Sequence, residues 1–163
     1  MTIELGEVDS KKVKAILQFQ SQSAAHEVLA RAREAAGNIG YAGEITPQQA
    51  WALFSSGIAE LVDVRTAREL QRVGFVPDAK HVEWLKGEDM QKNLRFITEL
   101  NGKVDKNDVV LFLCRSGKRS VAAAQAATQA GFRHAFNVQE GFEGDGNPQR
   151  GWLHHDLPTV HNK

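Results

Sequence analysis

Residues 109–130 constrain the fold more than any other stretch of this chain. They read VVLFLCRSGKRSVAAAQAATQA. Five consecutive apolar residues, Val109 to Leu113, are what a strand buried on both faces requires, and such strands belong to parallel sheets covered by helices. An alanine-rich helical segment starts near Ser120 and stops at Gly131. Cys114 follows the strand directly, and the loop Arg115-Ser116-Gly117-Lys118-Arg119 joins it to the helix. A strand that feeds a helix through a short loop is the building unit of an open α/β sheet. Ligands of such sheets bind beyond the carboxyl ends of the strands.

The same alternation recurs along the chain. Thr46-Pro47 reads as an N-cap followed by proline at the first helical position, with Ala50, Leu53 and Phe54 on one face. Ala59 to Val64 is apolar and β-prone. Thr66 and Glu69 have capping-box spacing for a short helix over 66–72. Lys80–Trp84 and His134–Val138 are strand candidates, and Met90 to Leu100 reads as a helix that stops at Asn101-Gly102. The expected fold is an α/β domain over residues 41–163, with an open, mostly parallel five-stranded sheet flanked by helices. A helical extension over residues 1–40 precedes it. In that extension Val13, Ile16 and Leu17, then Ala24, Ala25, Val28, Leu29, Ala32, Ala35 and Ala36, recur at helical spacing. One or two amphipathic helices are expected there, packed on the domain or against a partner, including a second copy of the chain. The tail after Gly144 reads as a loop that wraps the domain.

Composition removes several classes of function. Twenty basic and twenty acidic residues cancel, so no global field draws the chain to nucleic acid or to anionic lipid. The single cysteine excludes an intramolecular disulfide and zinc sites built on several thiolates. The first residues lack a signal-peptide pattern, and no segment reaches the roughly 18 apolar residues of a membrane span. A cytoplasmic location is expected, where a lone thiol stays reduced. His154, His155 and His161 read as a solvated tail, and no metal or cofactor is expected.

The chemistry concentrates on Cys114. Loop amides can curl into an anion-binding nest, the helix N-terminus carries partial positive charge, and Arg115, Lys118 and Arg119 add three cations. Each effect favours thiolate over thiol, so Cys114 is expected to be a nucleophile. The same positive cup, Arg115, Ser116, Gly117, Lys118 and Arg119, is expected to hold an anionic substrate. Asp63, Arg65 and Glu69 are expected to pair internally as structural support. Trp51, Phe54, Phe112 and Phe132 read as core. Trp84, Phe142 and Trp152 either rim the site or join the core.

The run from Cys114 to Ser120 resembles the active-site loop of rhodanese-like sulfurtransferases. LVDVR at residues 61–65 followed by Glu69 looks like that family's first-strand signature. Residues 73–81, VGFVPDAKH, are similar to its glycine-proline-alanine segment. Ala130-Gly131-Phe132 with Asn137, Gly141 and Trp152 resembles its closing segment. Phe75, Asp78 and Glu140 depart from residues common there, namely histidine, glycine and glycine.

The resemblance implies transfer of a sulfane sulfur from thiosulfate or a similar donor to cyanide or a thiol, including a thiol-bearing protein, through a persulfide on Cys114. Arg115 and Lys118 would hold the donor's sulfonate. Arg119 would either share that task or pair with Glu69 or Asp63 to brace the loop. The alternatives are a persulfide carrier or regulatory module acting on a protein partner, and a cysteine phosphatase or arsenate reductase. The phosphatase loop needs arginine after five intervening residues, and Ser120 stands there instead.

Overall fold

A computed structural model describes residues 7–147 and 149–161. Helix α1 (Glu7–Ala36) leads into β1 (Gly43–Ile45), α2 (Pro47–Ser55), β2 (Ala59–Asp63) and α3 (Ala67–Val73). Then come β3 (Lys80–His81), β4 (Leu85–Lys86), β5 (Gln91–Lys92), α4 (Phe96–Asn101), β6 (Val109–Leu113), α5 (Lys118–Gln129) and β7 (His134–Val138). A 3-10 turn at Trp152–His154 closes the chain. Both capping signals act as read. Thr46 and Thr66 each cap their helix, with reciprocal bonds to Gln49 and Glu69.

Five strands form one parallel sheet in the order β1-β7-β6-β2-β3. This is the expected α/β architecture. Strand periodicity divides its core in two. Leu61, Leu111, Leu113, Phe136 and Val138 pack with α1 and α2 through Ala25, Leu29, Ala50 and Leu53. Val62, Val110, Phe112, Cys114 and Ala135 pack on the other face with Phe96 and Leu100 of α4 and Ala123, Ala124 and Ala127 of α5. Successive side chains of a strand alternate between faces, so a run that is apolar throughout serves both cores. Cys114 continues the α5 face.

Three local readings differ from the structure. A helix over 90–100 does not form. Met90 adopts φ +53, which breaks helical geometry, and β4 and β5 pair as an antiparallel hairpin. Buried Asn93 donates to the Glu83 carbonyl and accepts from the Arg95 N–H, so the helix begins only at Phe96. The expected strand 80–84 is regular for two residues, yet the N–H groups of Val82 and Trp84 still bond the carbonyls of Asp63 and Val64. The extension forms one long helix, as one of the two expected arrangements. Its carboxyl half packs on the domain through Ala25, Val28, Leu29 and Ala32. The side chains of Ile16 and Leu17 lie outside the described ones, and Val13 is exposed. Strand β1 had no sequence counterpart among the strand candidates and supplies the fifth strand.

The tail wraps the domain as expected: Val160 pairs with Phe75, and Trp152 Nε1 donates to the Pro158 carbonyl. Phe112, Phe132, Phe142 and Trp152 are fully buried. Trp51 and Phe54 are half-buried against that core. Trp84 is half-buried, edge-on to Phe96 with ring centroids 4.9 Å apart.

Candidate active site

The sheet order reverses at β2 and β6, which run side by side with Asp63 opposite Leu113. The crevice beyond their carboxyl ends is where such folds bind ligands. Cys114 is the first residue past β6, and its side chain is 1 % exposed. The loop turns at Gly117, whose φ of 103° is available to glycine at little cost. That turn aims the Gly117 N–H at Cys114 Sγ, at 3.1 Å. α5 starts at the next residue, two positions before the expected Ser120. Ser120 therefore lies in its first turn, with Oγ 3.1 Å from Sγ.

The closing segment clamps this loop from outside. Phe142 N–H bonds the Cys114 carbonyl at 2.8 Å and Glu143 N–H bonds the Arg115 carbonyl at 2.9 Å. A side chain at Gly141 would meet the Arg115 carbonyl oxygen at 2.3 Å, so glycine is required there. Glu140, which departs from the family's glycine, adopts φ +70. Its carboxylate accepts from Gly151 N–H and from His155 Nε2, both at 2.8 Å, which offsets the backbone strain. Burial works against its charge, but these bonds outweigh it and hold the carboxyl below its usual range. Asp78 likewise adopts φ +66 where the family often has glycine, a conformation aspartate tolerates better than most residues.

The cations of the loop separate. Arg115 is exposed, with Nε 3.2 Å from Glu143 Oε2, and Lys118 is exposed at the start of α5. Arg119 turns inward and forks onto Glu69, Nη1 to Oε1 at 2.7 Å and Nη2 to Oε2 at 2.8 Å. Burial pushes the Glu69 carboxyl up, but the Arg119 bonds and the Thr66 cap prevail and lower it from 4.5 to about 2. Arg119 thus ties the first turn of α5 to α3. Asp63 and Arg65 pair with each other below it, at 2.7 Å, both buried. The Arg65 guanidinium lies 4.0 Å from the Phe142 ring centroid and also donates to the Gly74 carbonyl. The expected acidic-basic trio is therefore two separate pairs, because Glu69 faces Arg119 rather than Arg65.

A cleft of about 820 Å³ opens beside the loop, walled by Thr66, Glu69, Arg72, Glu83, Arg115 and Arg119, among others. Arg115 and Arg119 are the loop residues in its wall, and the buried Cys114 does not line it.

Sequence reasoning missed a set of buried polar contacts behind the sulfur. Ser120 Oγ donates to Asn137 Oδ1 at 2.5 Å, and Asn137 Nδ2 donates to Glu44 Oε2 at 2.6 Å. Tyr41 donates to Glu44 Oε1 at 2.5 Å. The signal available was Asn137, a polar residue inside the otherwise apolar strand AFNV.

The rhodanese-like domain profile matches residues 46–146, more than half of the chain. The chain belongs to the rhodanese-like family. A crystal structure of the Rv0390 protein from M. tuberculosis is 40% identical, with a TM-score of 0.68, over 75% of this chain and 99% of that one. An uncharacterized protein of Rickettsia rickettsii is 39% identical over 65% of this chain and 86% of its own length. The thiosulfate sulfurtransferase GlpE of Actinobacillus pleuropneumoniae serotype 5b is 34% identical over 62% of this chain and 83% of its own. The likeness to GlpE supports a sulfurtransferase family. Among the described residues, no helix is long and apolar enough to cross a membrane.

Proposed function

We propose that the chain is a thiosulfate-type sulfurtransferase of the cytoplasm that works through a persulfide on Cys114. The Cys114 thiolate attacks the outer sulfur of thiosulfate. A new S–S bond forms, the donor's S–S bond breaks, and sulfite leaves with the electron pair. A thiolate or cyanide then attacks the outer sulfur of the persulfide, and the Cys114 thiolate is released. This is covalent catalysis in two half-reactions. With one cysteine in the chain, no second thiol can resolve the persulfide, so an external acceptor must.

The observation that carries this reading is the placement of Sγ at the end of β6, 3.1 Å from the Gly117 N–H at the start of α5. An N–H so placed supports negative charge developing on sulfur, as an oxyanion hole does for oxygen. Arg115, exposed at the rim, is suited to a forked contact with sulfonate oxygens, and Lys118 to a point-charge contact. The commitment of Arg119 to Glu69 speaks against a phosphatase, which needs its loop guanidinium on the phosphate. The enclosure of the sulfur favours a small donor.

Intact mass spectrometry after thiosulfate treatment tests the proposal. Wild type gains one sulfur atom and loses it when cyanide or a thiol is added, while Cys114→Ser gains none. A folded wild type that takes up no sulfur, or a serine variant that does, overturns the reading.

A further inference from the structure

We propose that Glu44 is a positioning residue for Cys114. It fixes the facing of the Asn137 amide, and so commits the Ser120 hydroxyl hydrogen away from sulfur, leaving Ser120 to offer Sγ a lone pair.

The donor and acceptor capacities of these groups fix the direction of each bond. An ionised carboxylate only accepts hydrogen bonds. Glu44 receives two, from Tyr41 Oη and from Asn137 Nδ2. Parallel pairing of β1 with β7 sets Glu44 directly opposite Asn137, so this contact is built into the sheet register. With its Nδ2 drawn to Glu44, Asn137 must turn Oδ1 towards Ser120. An amide oxygen also only accepts, so the single hydroxyl hydrogen of Ser120 goes to it, across 2.5 Å. The remaining Ser120 lone pairs face Sγ at 3.1 Å. Of the two polar groups on the sulfur, Gly117 N–H therefore donates and Ser120 accepts. The second contact suits an S–H group and gives nothing to a thiolate.

Tyr41 keeps the far end in place. Burial, reinforced by Glu44, pushes its hydroxyl above the ordinary tyrosine range, so it stays a donor to Glu44. Ser120 and Asn137 are buried, which leaves water little chance to supply other partners. The other charged groups around the loop are Arg115, Lys118 and Arg119 on it, Asp63 and Arg65 at the end of β2, Glu69 on α3, and Glu140 and Glu143 after β7. None of them bonds Ser120 or Asn137 among the described contacts, so Glu44 alone sets this polarity.

The inference concerns the cysteine of the proposed function, but its test reads the acid–base state of the thiol and needs no sulfur donor. With one cysteine in the chain, the ultraviolet absorbance of thiolate reports Cys114 alone. Glu44→Gln offers Asn137 an amide hydrogen, so Asn137 can turn Nδ2 towards Ser120 and release the hydroxyl hydrogen to sulfur. The midpoint of thiolate formation is expected to fall by about one pH unit, the size of shift that one hydrogen bond to the charged form can give. Ser120→Ala removes the acceptor of the S–H and should also lower the midpoint. In the Ser120→Ala background, Glu44→Gln should then add no shift. Three results would each overturn the proposal: no shift in Glu44→Gln, the same shift with Ser120 absent (a through-space effect of charge), or a raised midpoint in Ser120→Ala.

Discussion

Three arginines lie in or beside the Cys114 loop, and their exposure separates its underside from its rim. The side chain of Arg65 is fully buried against Asp63, that of Arg119 is 17 % exposed against Glu69, and that of Arg115 is 64 % exposed beside Glu143. All three are arginine–glutamate or arginine–aspartate pairs, yet they do different things. A buried charge is costly to strand, so Arg65 and Asp63 hold the strand end and the Phe142 ring above it in one arrangement. An exposed pair contributes about 0–1 kcal/mol, so Arg115 can exchange Glu143 for a ligand at little loss. Arg119 stands between, partly enclosed and forked onto Glu69 through two short bonds. Charge in the sequence therefore marks three roles, and burial tells them apart.

The largest effect is expected at the buried pair. Asp63→Ala leaves Arg65 enclosed without its carboxylate, and denaturant unfolding should show a loss of about 3–5 kcal/mol. A loss below that of an exposed pair would mean that Arg65 finds water or another partner.

Glu69→Gln tests the middle case. The pair is partly open to solvent, so a loss of about 1–2 kcal/mol is expected near neutral pH. Because folding lowers the Glu69 pKa, this stability is present above 4.5 and drains away as pH falls towards about 2. Unfolding of wild type and variant should therefore converge over that window. Curves that stay parallel would show that Glu69 does not carry the effect.

At the rim, Arg115→Ala should leave the unfolding midpoint unchanged. Steady-state kinetics should show a several-fold rise in KM for thiosulfate with kcat retained. Unaltered KM would remove Arg115 from donor binding and leave Lys118 as the remaining exposed cation of the loop.

Much of the fold is written locally. The capping pairs at Thr46 and Thr66, the apolar run at 109–113 and the alanine-rich helix each depend on residues within a turn or a strand of one another. The turn of the loop from Cys114 to Arg119 is also local, at Gly117, although Phe142, Glu143 and Glu69 hold it from outside. Where the sequence reading erred, at residues 90–100, a helical spacing was overruled by the side chain of Asn93, whose partner Glu83 lies ten residues away on a different segment.

Residue order alone is enough to read the strand–loop–helix unit, the cysteine at its junction and the family, because short-range spacing and residue type suffice for these. Only the tertiary structure decided which cation braces and which stays available, and that Glu44, Asn137 and Ser120 meet behind the sulfur. Those contacts join residues up to 93 positions apart. Glu44 meets Asn137 because β1 and β7 fall into one parallel register, and no local pattern encodes which strands become neighbours.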